Sequence, residues 1–560
     1  MRKDLFYVFI TILSLNFIAC NNQETQNNKN NNNVDSTNTV KDTTVMSIQD
    51  KLNQYAVIKL NYDLSNLSDN QKKIISHLID AAKIVDDIFW DQTYGNKDSL
   101  FAKITDENEL KYAKINYGPW DRLNDNEPFV KGFKRKPIGA NFYPNDIKYL
   151  PFIQLPFQDK LSMYTLLRKD ENDEDYTIPY HEAYKTQINE ICKHLQAAAD
   201  ICENKQFKDY LIKRIKGLQT DDFYESDAAW VDMKNNPIDF TIGAFENEED
   251  HFLYIKGAYE ASVMIVDTEW TNKYQSYLNV LHDLQKELPV DEKYKSQELG
   301  INSGIVVCNI LYNGGYSNAG PKNIALTRPT DGKIRMEKGT KKLQFKNVTE
   351  AKFNKILYPI SEVLIDSSQL KYINSKSFFE NNLFFEICNG MLMSKTIDGK
   401  IKVKEALKGT YNIIKNLNND VLRLYLIRKL NEKNIIKEDN INDNFETYLA
   451  DIFRSVRFGS AHSQGSAAVI AFNYYMDKGA ITRNDNGIYK VDFDKMKQAN
   501  EDLAKKVIII QGDGDILAAK NLIKKYGTIK PELEKDLLKI REAKIPVDII
   551  FEEGKSVLGL

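Results

Sequence analysis

A polar stretch near the N-terminus fixes where the folded part of this chain can begin. Residues 21–45 are rich in Asn, Thr, Gln and Asp and contain almost no apolar side chain. Such a segment cannot bury enough apolar surface to offset the conformational entropy lost on ordering, so we predict a disordered tether. The folded body then occupies residues 46–560, which is more than one hydrophobic core usually supports. We therefore expect two lobes or more.

The residues before the tether have the pattern of an export signal. A basic start is followed by an apolar run over residues 5–18, which is too short to span a bilayer. Residues 17–20, Phe-Ile-Ala-Cys, resemble a bacterial lipobox, in which the cysteine is lipidated before the signal is removed. We predict a lipoprotein signal over residues 1–20, with Cys20 anchoring the protein to a cell-envelope membrane after export. The alternative is ordinary cleavage that leaves Cys20 free.

Charge and cysteine content argue against several kinds of protein. Lys and Arg total 76 and Asp and Glu total 79, which gives a formal net charge of -3. Nucleic-acid binding needs a concentrated basic surface, which this balance does not supply. The five cysteines include no Cys-x-x-Cys pair, so neither a zinc knuckle nor a redox pair is indicated. Cys192 and Cys202 lie about 15 Å apart along a helical stretch, too far for a disulfide, and we expect the four internal cysteines to be buried thiols.

Apolar residues recur at three- and four-residue spacing along most of the body, which is typical of amphipathic helices. Beta-branched residues alternating with turn formers indicate strands in residues 305–311 and 324–345. Prolines and glycines predict a long irregular stretch over residues 119–144. These patterns predict an α-rich α+β body. The helical patterns cover residues 48–62, 71–89, 184–218, 256–288, 415–430 and 496–510.

Seven short sequence segments follow one another along the body. They are IFW to YGNKD (88–98), INYGPWDRL (115–123), GANFYP (139–144), TDDFYESD (220–227), NPIDFTIG (236–243), FRSVRFG (453–459) and VDI (547–549). This collinear series resembles the short, bacterial-type branch of the dipeptidyl-peptidase III family of zinc metallopeptidases. The resemblance implies a two-lobed fold with a wide inter-lobe cleft, one lobe mainly helical and the other mixed with a β-barrel.

The resemblance also implies where a zinc site would lie. In the family, two histidines of a His-Glu-x-x-His helix and a glutamate from a later helix hold zinc, and the glutamate between the histidines is the general base. The four-residue spacing puts both imidazoles on one helix face. In the matching segment here, Phe385 and Asn389 stand at the histidine positions, and only the base position, Glu386, is retained.

The second zinc-binding helix of the family is altered as well. Its Leu-Glu-Glu-x-x-x-Asp pattern matches residues 414–420, with Asn416 at the ligand position and Lys415 beside it. All three ligand positions are therefore replaced, and no His-Glu-x-x-His occurs elsewhere in the chain. We predict that zinc does not bind at the family site, and we predict no other cofactor.

The resemblance marks further positions in the cleft. His462 matches a histidine that supports the transition state, although a reading without gaps puts Gln464 there. Glu246 matches a cleft glutamate, and Glu248 stands where the family has a tyrosine that polarises the scissile carbonyl. The positions at which asparagines would contact the peptide backbone hold two threonines, Thr327 and Thr330.

Several of these residues also have simpler interpretations. Glu386 is equally explained as a buried or cap-paired carboxylate, and His462 as a packed histidine beside a turn. Residues 246–251 contain four acids and a histidine that could form a different metal site, although acidic runs are usually solvated faces. Residues 511–515, Gln-Gly-Asp-Gly-Asp, have a calcium-like composition but lack EF-hand spacing, so we predict a turn that ends a helix.

The leading functional hypothesis is a catalytically inactive peptidase homologue, tethered to a membrane, that binds peptides or a partner protein in its cleft. One alternative is an active metallo-hydrolase that releases dipeptides from peptide N-termini with a metal at a non-family site, for example within residues 246–251. A third is a structural envelope scaffold that binds no peptide. The replaced ligands favour the first hypothesis, because a glutamate alone does not activate water as zinc does.

Overall fold

The computed structural model describes residues 46–295, 303–436 and 440–560. The predicted signal, Cys20 and the predicted tether lie outside the described residues. The residues from 47 to 560 make their contacts with one another as one unit. Within the described ranges, no helix is both long enough and apolar enough to cross a membrane.

Helices make up most of the regular structure, and they alternate with short strands. The helices are α1 Ile48–Leu52, α2 Asp69–Thr93, α3 Lys97–Phe101, α4 Glu107–Asn116, α5 Tyr149–Gln154, α6 Tyr180–Ala183, α7 Lys185–Asp200, α8 Lys205–Thr220, α9 Tyr224–Asp232, α10 Thr268–Leu278, α11 Leu281–Lys286, α12 Gly332–Glu337, α13 Lys346–Lys352, α14 Tyr358–Leu364, α15 Ser375–Gly390, α16 Val403–Leu407, α17 Tyr411–Glu432, α18 Ile441–Val456, α19 Ser463–Asp477, α20 Phe493–Asp513, α21 Ile516–Tyr526, α22 Pro531–Glu542 and α23 Lys555–Leu558. The strands are β1 Tyr55–Lys59, β2 Trp120–Asp121, β3 Glu127–Pro128, β4 Thr165–Lys169, β5 Asp175–Pro179, β6 Ile238–Glu246, β7 Ala258–Val266, β8 Ser303–Gly315, β9 Ala325–Arg328, β10 Thr340–Phe345, β11 Ile481–Arg483, β12 Tyr489–Val491 and β13 Asp548–Glu552.

A five-stranded mixed sheet organises one part of the body. Its strand order is β6-β7-β8-β10-β9, with β8 and β10 parallel and the other neighbours antiparallel. β6 and β7 are buried along nearly their whole length, so both faces of the sheet are covered there. Helix α2 covers the sheet so closely that a Cβ on Gly314 would lie 2.2 Å from the Ala82 carbonyl oxygen. That contact requires glycine.

A second part of the body is a group of packed helices, α15, α17, α18, α19 and α20. Helix α17 lies at its centre, since it contacts α15, α19 and α20 and most of its residues are buried. Its buried residues include Asn418, Asn419, Asp420 and Arg423, so polar side chains also lie on its enclosed faces and its amphipathic pattern is weak. The α-rich α+β fold is therefore confirmed. The β-barrel of the mixed lobe stays a prediction.

The two ends of the body meet in a parallel strand pair. β1 pairs with β13 from Tyr55 opposite Asp548 to Lys59 opposite Glu552. Asp548 accepts a hydrogen bond from the Lys352 ammonium at 2.9 Å. The last strand of the chain is thus held by both the first strand and the end of α13.

Some local predictions are wrong. Residues 256–288 do not form one helix, because β7 precedes α10 and α11 there. Residues 48–62 hold a short helix and then β1, and residues 324–345 hold α12 between β9 and β10. Residues 184–218 form two helices, because Asn204 caps a new one. In β7 the cause is burial on both faces, which removes the alternation that distinguishes a strand from a helix.

Other local predictions are confirmed. Cys192, Cys308 and Cys388 are buried free thiols as predicted, whereas Cys202 is a free thiol that is only half-buried. Residues 511–515 end α20, with Gly514 in the left-handed conformation at φ 63°. Asp515 then caps α21 by accepting hydrogen bonds from two backbone amides, so its carboxylate has a structural role.

Candidate functional site

The segment that matches the zinc motif lies on helix α15. Asn374 caps this helix, because its side chain accepts a hydrogen bond from the Ser377 amide at 2.8 Å. Phe385, Glu386 and Asn389 lie near the C-terminal end of α15, and all three are half-buried. Phe385 and Asn389 are four residues apart and share a helix face. α17 packs against α15 and carries Asn416.

Asn389 is engaged at both ends of its amide. Its Oδ1 accepts a hydrogen bond from Asn419 Nδ2 at 2.6 Å, across the contact between α15 and α17. Its Nδ2 donates to Glu386 Oε2 at 3.3 Å. The carboxylate of the retained base position is therefore bound to the residue that replaces the second histidine.

Asn416 and Asp420, which lie one turn apart on α17, are hydrogen-bonded to the start of α19. Asn416 Nδ2 donates to Ser463 Oγ at 3.0 Å, and Gln464 Nε2 donates to Asp420 Oδ2 at 3.3 Å. His462 is the exposed residue that precedes α19, and its side chain does not cap the helix. His462 and Gln464 are the two candidates for the family's supporting histidine position. The side chain of Gln464 contacts α17.

A buried arginine lies beneath Phe385. The Arg423 guanidinium is 5.5 Å from the Phe385 ring centroid and 2.9 Å from Asp420 Oδ1, and it also approaches Asp451 at 3.5 Å. Burial raises the pKa of Asp420 to about 7, and the attraction of Arg423 opposes that rise. The guanidinium is thus held between two carboxylates and packs against the ring that stands at the first ligand position.

The residues present do not fit a zinc ion. Phe385 has no donor atom, and the carbonyl oxygen of Asn389 already accepts a hydrogen bond. Zinc in proteins is bound by thiolate, imidazole and carboxylate ligands, and a neutral amide is not among them. Glu386 is the one carboxylate at these positions, so no reaction step can be derived through zinc at this place.

The predicted cleft residues on the sheet lie at the ends of β6 and β9. Glu246 is the last residue of β6 and is half-buried, and burial raises the pKa of its carboxyl while nearby Glu260 adds to the rise. Glu248 is exposed, as is Thr330 beyond the end of β9. Thr327 lies within β9 and is half-buried.

Lys342 of β10 links the sheet to the degenerate motif. It is the direct cross-strand partner of Thr327, and its Nζ donates to the Glu386 carbonyl oxygen at 3.0 Å. Burial lowers the pKa of Lys342, and the Glu386 carboxylate opposes that change. The structure thus brings Thr327 and Glu386 to the same lysine, although they are far apart in sequence.

Two functional candidates were missed by the sequence analysis. Arg328 and Glu260 form a buried ion pair, with Arg328 Nε donating to Glu260 Oε1 at 3.2 Å. Ser317 Oγ donates to Glu260 Oε2 at 3.0 Å. The sequence did carry a signal, because a glutamate in the apolar run of β7 is unusual unless it is paired.

The side chains of the acidic run over residues 246–251 do not come together at one point. Glu249 is buried and bound by Arg122 and Lys136, and these cations hold the pKa of its carboxyl well below the usual range against the effect of burial. Asp250 accepts a hydrogen bond from Tyr143 Oη at 2.9 Å and from several backbone amides. Protein donors therefore already bind the two buried carboxylates, and among the described residues this run forms no group of three possible metal ligands.

Comparison with known proteins agrees with the fold. The family model "Peptidase family M49" matches residues 160–412. Nudix hydrolase 3 of Arabidopsis thaliana is 30% identical over 569 residues, covering 90% of this chain and 73% of that protein. The structure of DPP III from Caldithrix abyssi superposes with a TM-score of 0.86 at 33% identity, covering 91% of this chain and 100% of that one.

Dipeptidyl-peptidase III from Corallococcus sp. strain EGB superposes with a TM-score of 0.76 at 30% identity, covering 90% of this chain and 96% of that one. The likeness therefore extends over nearly all of the described body. This chain belongs to peptidase family M49, the dipeptidyl-peptidase III family.

Proposed function

We propose that this protein is a family member that does not hydrolyse peptides by the zinc mechanism, and that it binds peptides or a partner protein instead. The observation that supports the proposal is the state of the three ligand positions, Phe385, Asn389 and Asn416. One has no donor atom, and the other two are hydrogen-bonded within the protein. The rest of the fold is retained.

The chemistry of water activation supports the inactive state. In zinc enzymes the metal can lower the pKa of bound water from 15.7 to about 7. Glu386 has no such metal beside it, and its carboxylate accepts a hydrogen bond from Asn389. Without an activated water, the carboxylate has no nucleophile to deprotonate at neutral pH.

The edge of the sheet supports peptide binding. β9 is the last strand in the order and pairs only with β10 among the described strands, so its outer backbone groups can accept an extended peptide as a further strand. Thr327 lies on this strand. The half-buried carboxylate of Glu246 supplies a charge for a polar end of such a peptide.

The inactive state is tested by measuring dipeptide release from purified protein with and without a chelator. We expect none above background. A release that the chelator abolishes would contradict the proposal and favour the alternative of an active metallo-hydrolase.

The variant F385H/N389H/N416E restores the family ligands and is expected to bind about one more zinc per chain than the wild type. The variant F385A/N389A/N416A changes the same positions without adding ligands, and should gain no zinc.

Peptide binding is tested by titrating labelled peptides of varied sequence into the protein. We expect saturable binding that Glu246→Gln weakens, because the substitution removes the charge at the end of β6. Glu532→Gln is a matched control, since Glu532 is exposed on α22. If no peptide binds and no partner co-purifies, the structural-scaffold alternative is favoured over this proposal.

Tethering to the cell envelope through Cys20 is part of the same proposal and depends on the lipobox resemblance of residues 17–20. Metabolic labelling with a fatty-acid analogue should mark the wild-type protein, and it should then partition into detergent. Cys20→Ser should lose both properties. Secretion of an unlabelled wild-type protein would favour ordinary cleavage.

A further inference from the structure

Two histidines and an aspartate come together on the outside of the sheet-covering helices. His77 and Asp80 lie three residues apart on α2, and His194 lies on α7, which packs against α2. One ligand atom from each residue lies within 4.8 Å of the others. Residues three apart share a helix face, so the two helices direct all three side chains to one point.

The polar atoms of this group are incompletely satisfied. His77 Nδ1 is shielded from solvent and has no hydrogen-bond partner among the described residues. The rings of His77 and His194 lie 5.8 Å apart between centroids, and His194 Nδ1 is 4.0 Å from Asp80 Oδ2, beyond a hydrogen bond. A buried ring nitrogen without a partner requires an explanation, and a bound ion is one.

A protein cation already lies at the carboxylate. The Lys555 ammonium, from α23 near the C-terminus, is 2.5 Å from Asp80 Oδ2. All of these side chains are half-buried, with Lys555 27% and Asp80 28% exposed. The ammonium can therefore leave the carboxylate without unfolding any helix.

We propose that His77, Asp80 and His194 bind a divalent transition metal of the zinc class, which replaces Lys555 at Asp80 and joins α2 to α7. Two imidazoles and one carboxylate are a ligand set that zinc uses in three-ligand sites, with water at the fourth position. Zinc bonds of about 2.0–2.2 Å require ligand atoms roughly 3.3 Å apart. Small side-chain rotations would close the present separations, because the three residues are half-buried.

This site is independent of the degenerate family site. It lies on α2 and α7, whereas the family positions lie on α15 and α17. Zinc found in the wild-type protein would therefore not by itself contradict an inactive peptidase. Ligand variants at the two sites distinguish the cases.

The test is a titration of the full chain with Co²⁺ and with Zn²⁺. We expect visible cobalt bands without thiolate charge transfer, and displacement of cobalt by zinc. His77→Ala and His194→Ala should each weaken binding by more than the roughly 10- to 100-fold that loss of an outer partner costs. His282→Ala is the matched control, because His282 is exposed and outside the group.

Lys555→Met provides a test that misfolding cannot imitate. The substitution removes the competing ammonium and should tighten metal binding. In a separate measurement, zinc should raise the thermal unfolding midpoint of the wild type but not that of His194→Ala. Absence of cobalt bands, or equal affinity in wild type, His194→Ala and Lys555→Met, would overturn the proposal.

Discussion

Glu446 is a buried acid whose environment favours its neutral form. Its side chain on α18 is fully buried, and neither carboxyl oxygen has a hydrogen-bond partner in the part of the chain that the structure describes. Burial raises the pKa of Glu446 from 4.5 to about 8, Asp366 adds to the rise, and Lys490 opposes it. In the folded protein the group therefore holds its proton at neutral pH.

This pKa gives a pH-dependent stability with a defined sign. The folded state binds a proton that the unfolded state releases above pH 4.5, so Glu446 lowers the free energy of unfolding as pH rises from about 4.5 to about 8. Glu446→Gln should remove that loss and stabilise the protein at pH 7 by roughly 3 kcal/mol relative to wild type, with little difference at pH 4. Urea unfolding at both pH values measures it. Exposed Glu534→Gln is the control, and equal stabilisation at both pH values would contradict the assignment.

At the scale of single elements, the start of α2 depends on a capping box. The backbone N–H of Gln71 donates to Ser68 Oγ at 3.2 Å, and the backbone N–H of Ser68 donates to Gln71 Oε1 at 2.9 Å. Because α2 covers the sheet, loss of the cap should lower the free energy of unfolding. Ser68→Ala should cost about 1 kcal/mol, and Ser68→Gly only a few tenths. Thermal unfolding of both variants measures the difference, and an equal loss in both would mean that the hydroxyl does not cap the helix.

Long helices were predicted from the sequence better than buried strands. α2, α17 and α20 have long apolar patterns, and each was located within a few residues. β7 was predicted as helix, because nearly every residue from Ala258 to Ile265 is buried and no alternation remains. Helix signals come from neighbours in sequence, whereas β7 is specified by β6 and β8, which are distant in the chain.

The site shows the same limit. The resemblance to the family assigned Phe385, Asn389 and Asn416 to the ligand positions, and they lie on the packed helices α15 and α17. Their partners were not predicted, because the hydrogen bond from Asn419 to Asn389 and the contact of Arg423 with Phe385 cross between helices. Sequence spacing identifies residues on one helix face but not what the facing helix presents.

At the scale of the whole molecule, a buried ion pair joins the last strand to helix α13 in the middle of the chain. Asp548 begins β13, pairs with Lys352 at 2.9 Å, and also accepts a hydrogen bond from the Lys322 amide at 3.2 Å. Both charged residues are nearly buried, and burial lowers the pKa of Lys352 while Asp548 opposes that change. The pair therefore couples the last strand to the sheet-bearing part of the body.

Breaking this pair from one side should be more harmful than removing it entirely. Asp548→Asn leaves the Lys352 ammonium buried without its counter-charge, and should lower the free energy of unfolding by about 3–5 kcal/mol. The double variant D548N/K352M removes both charges and should recover part of that loss, because no unpaired ion remains. Urea unfolding of the wild type, Asp548→Asn, Lys352→Met and the double variant gives the coupling energy between the two residues. If the two single losses simply add, the pair does not hold β13 to α13, and the β1–β13 hydrogen bonds must hold the last strand in place.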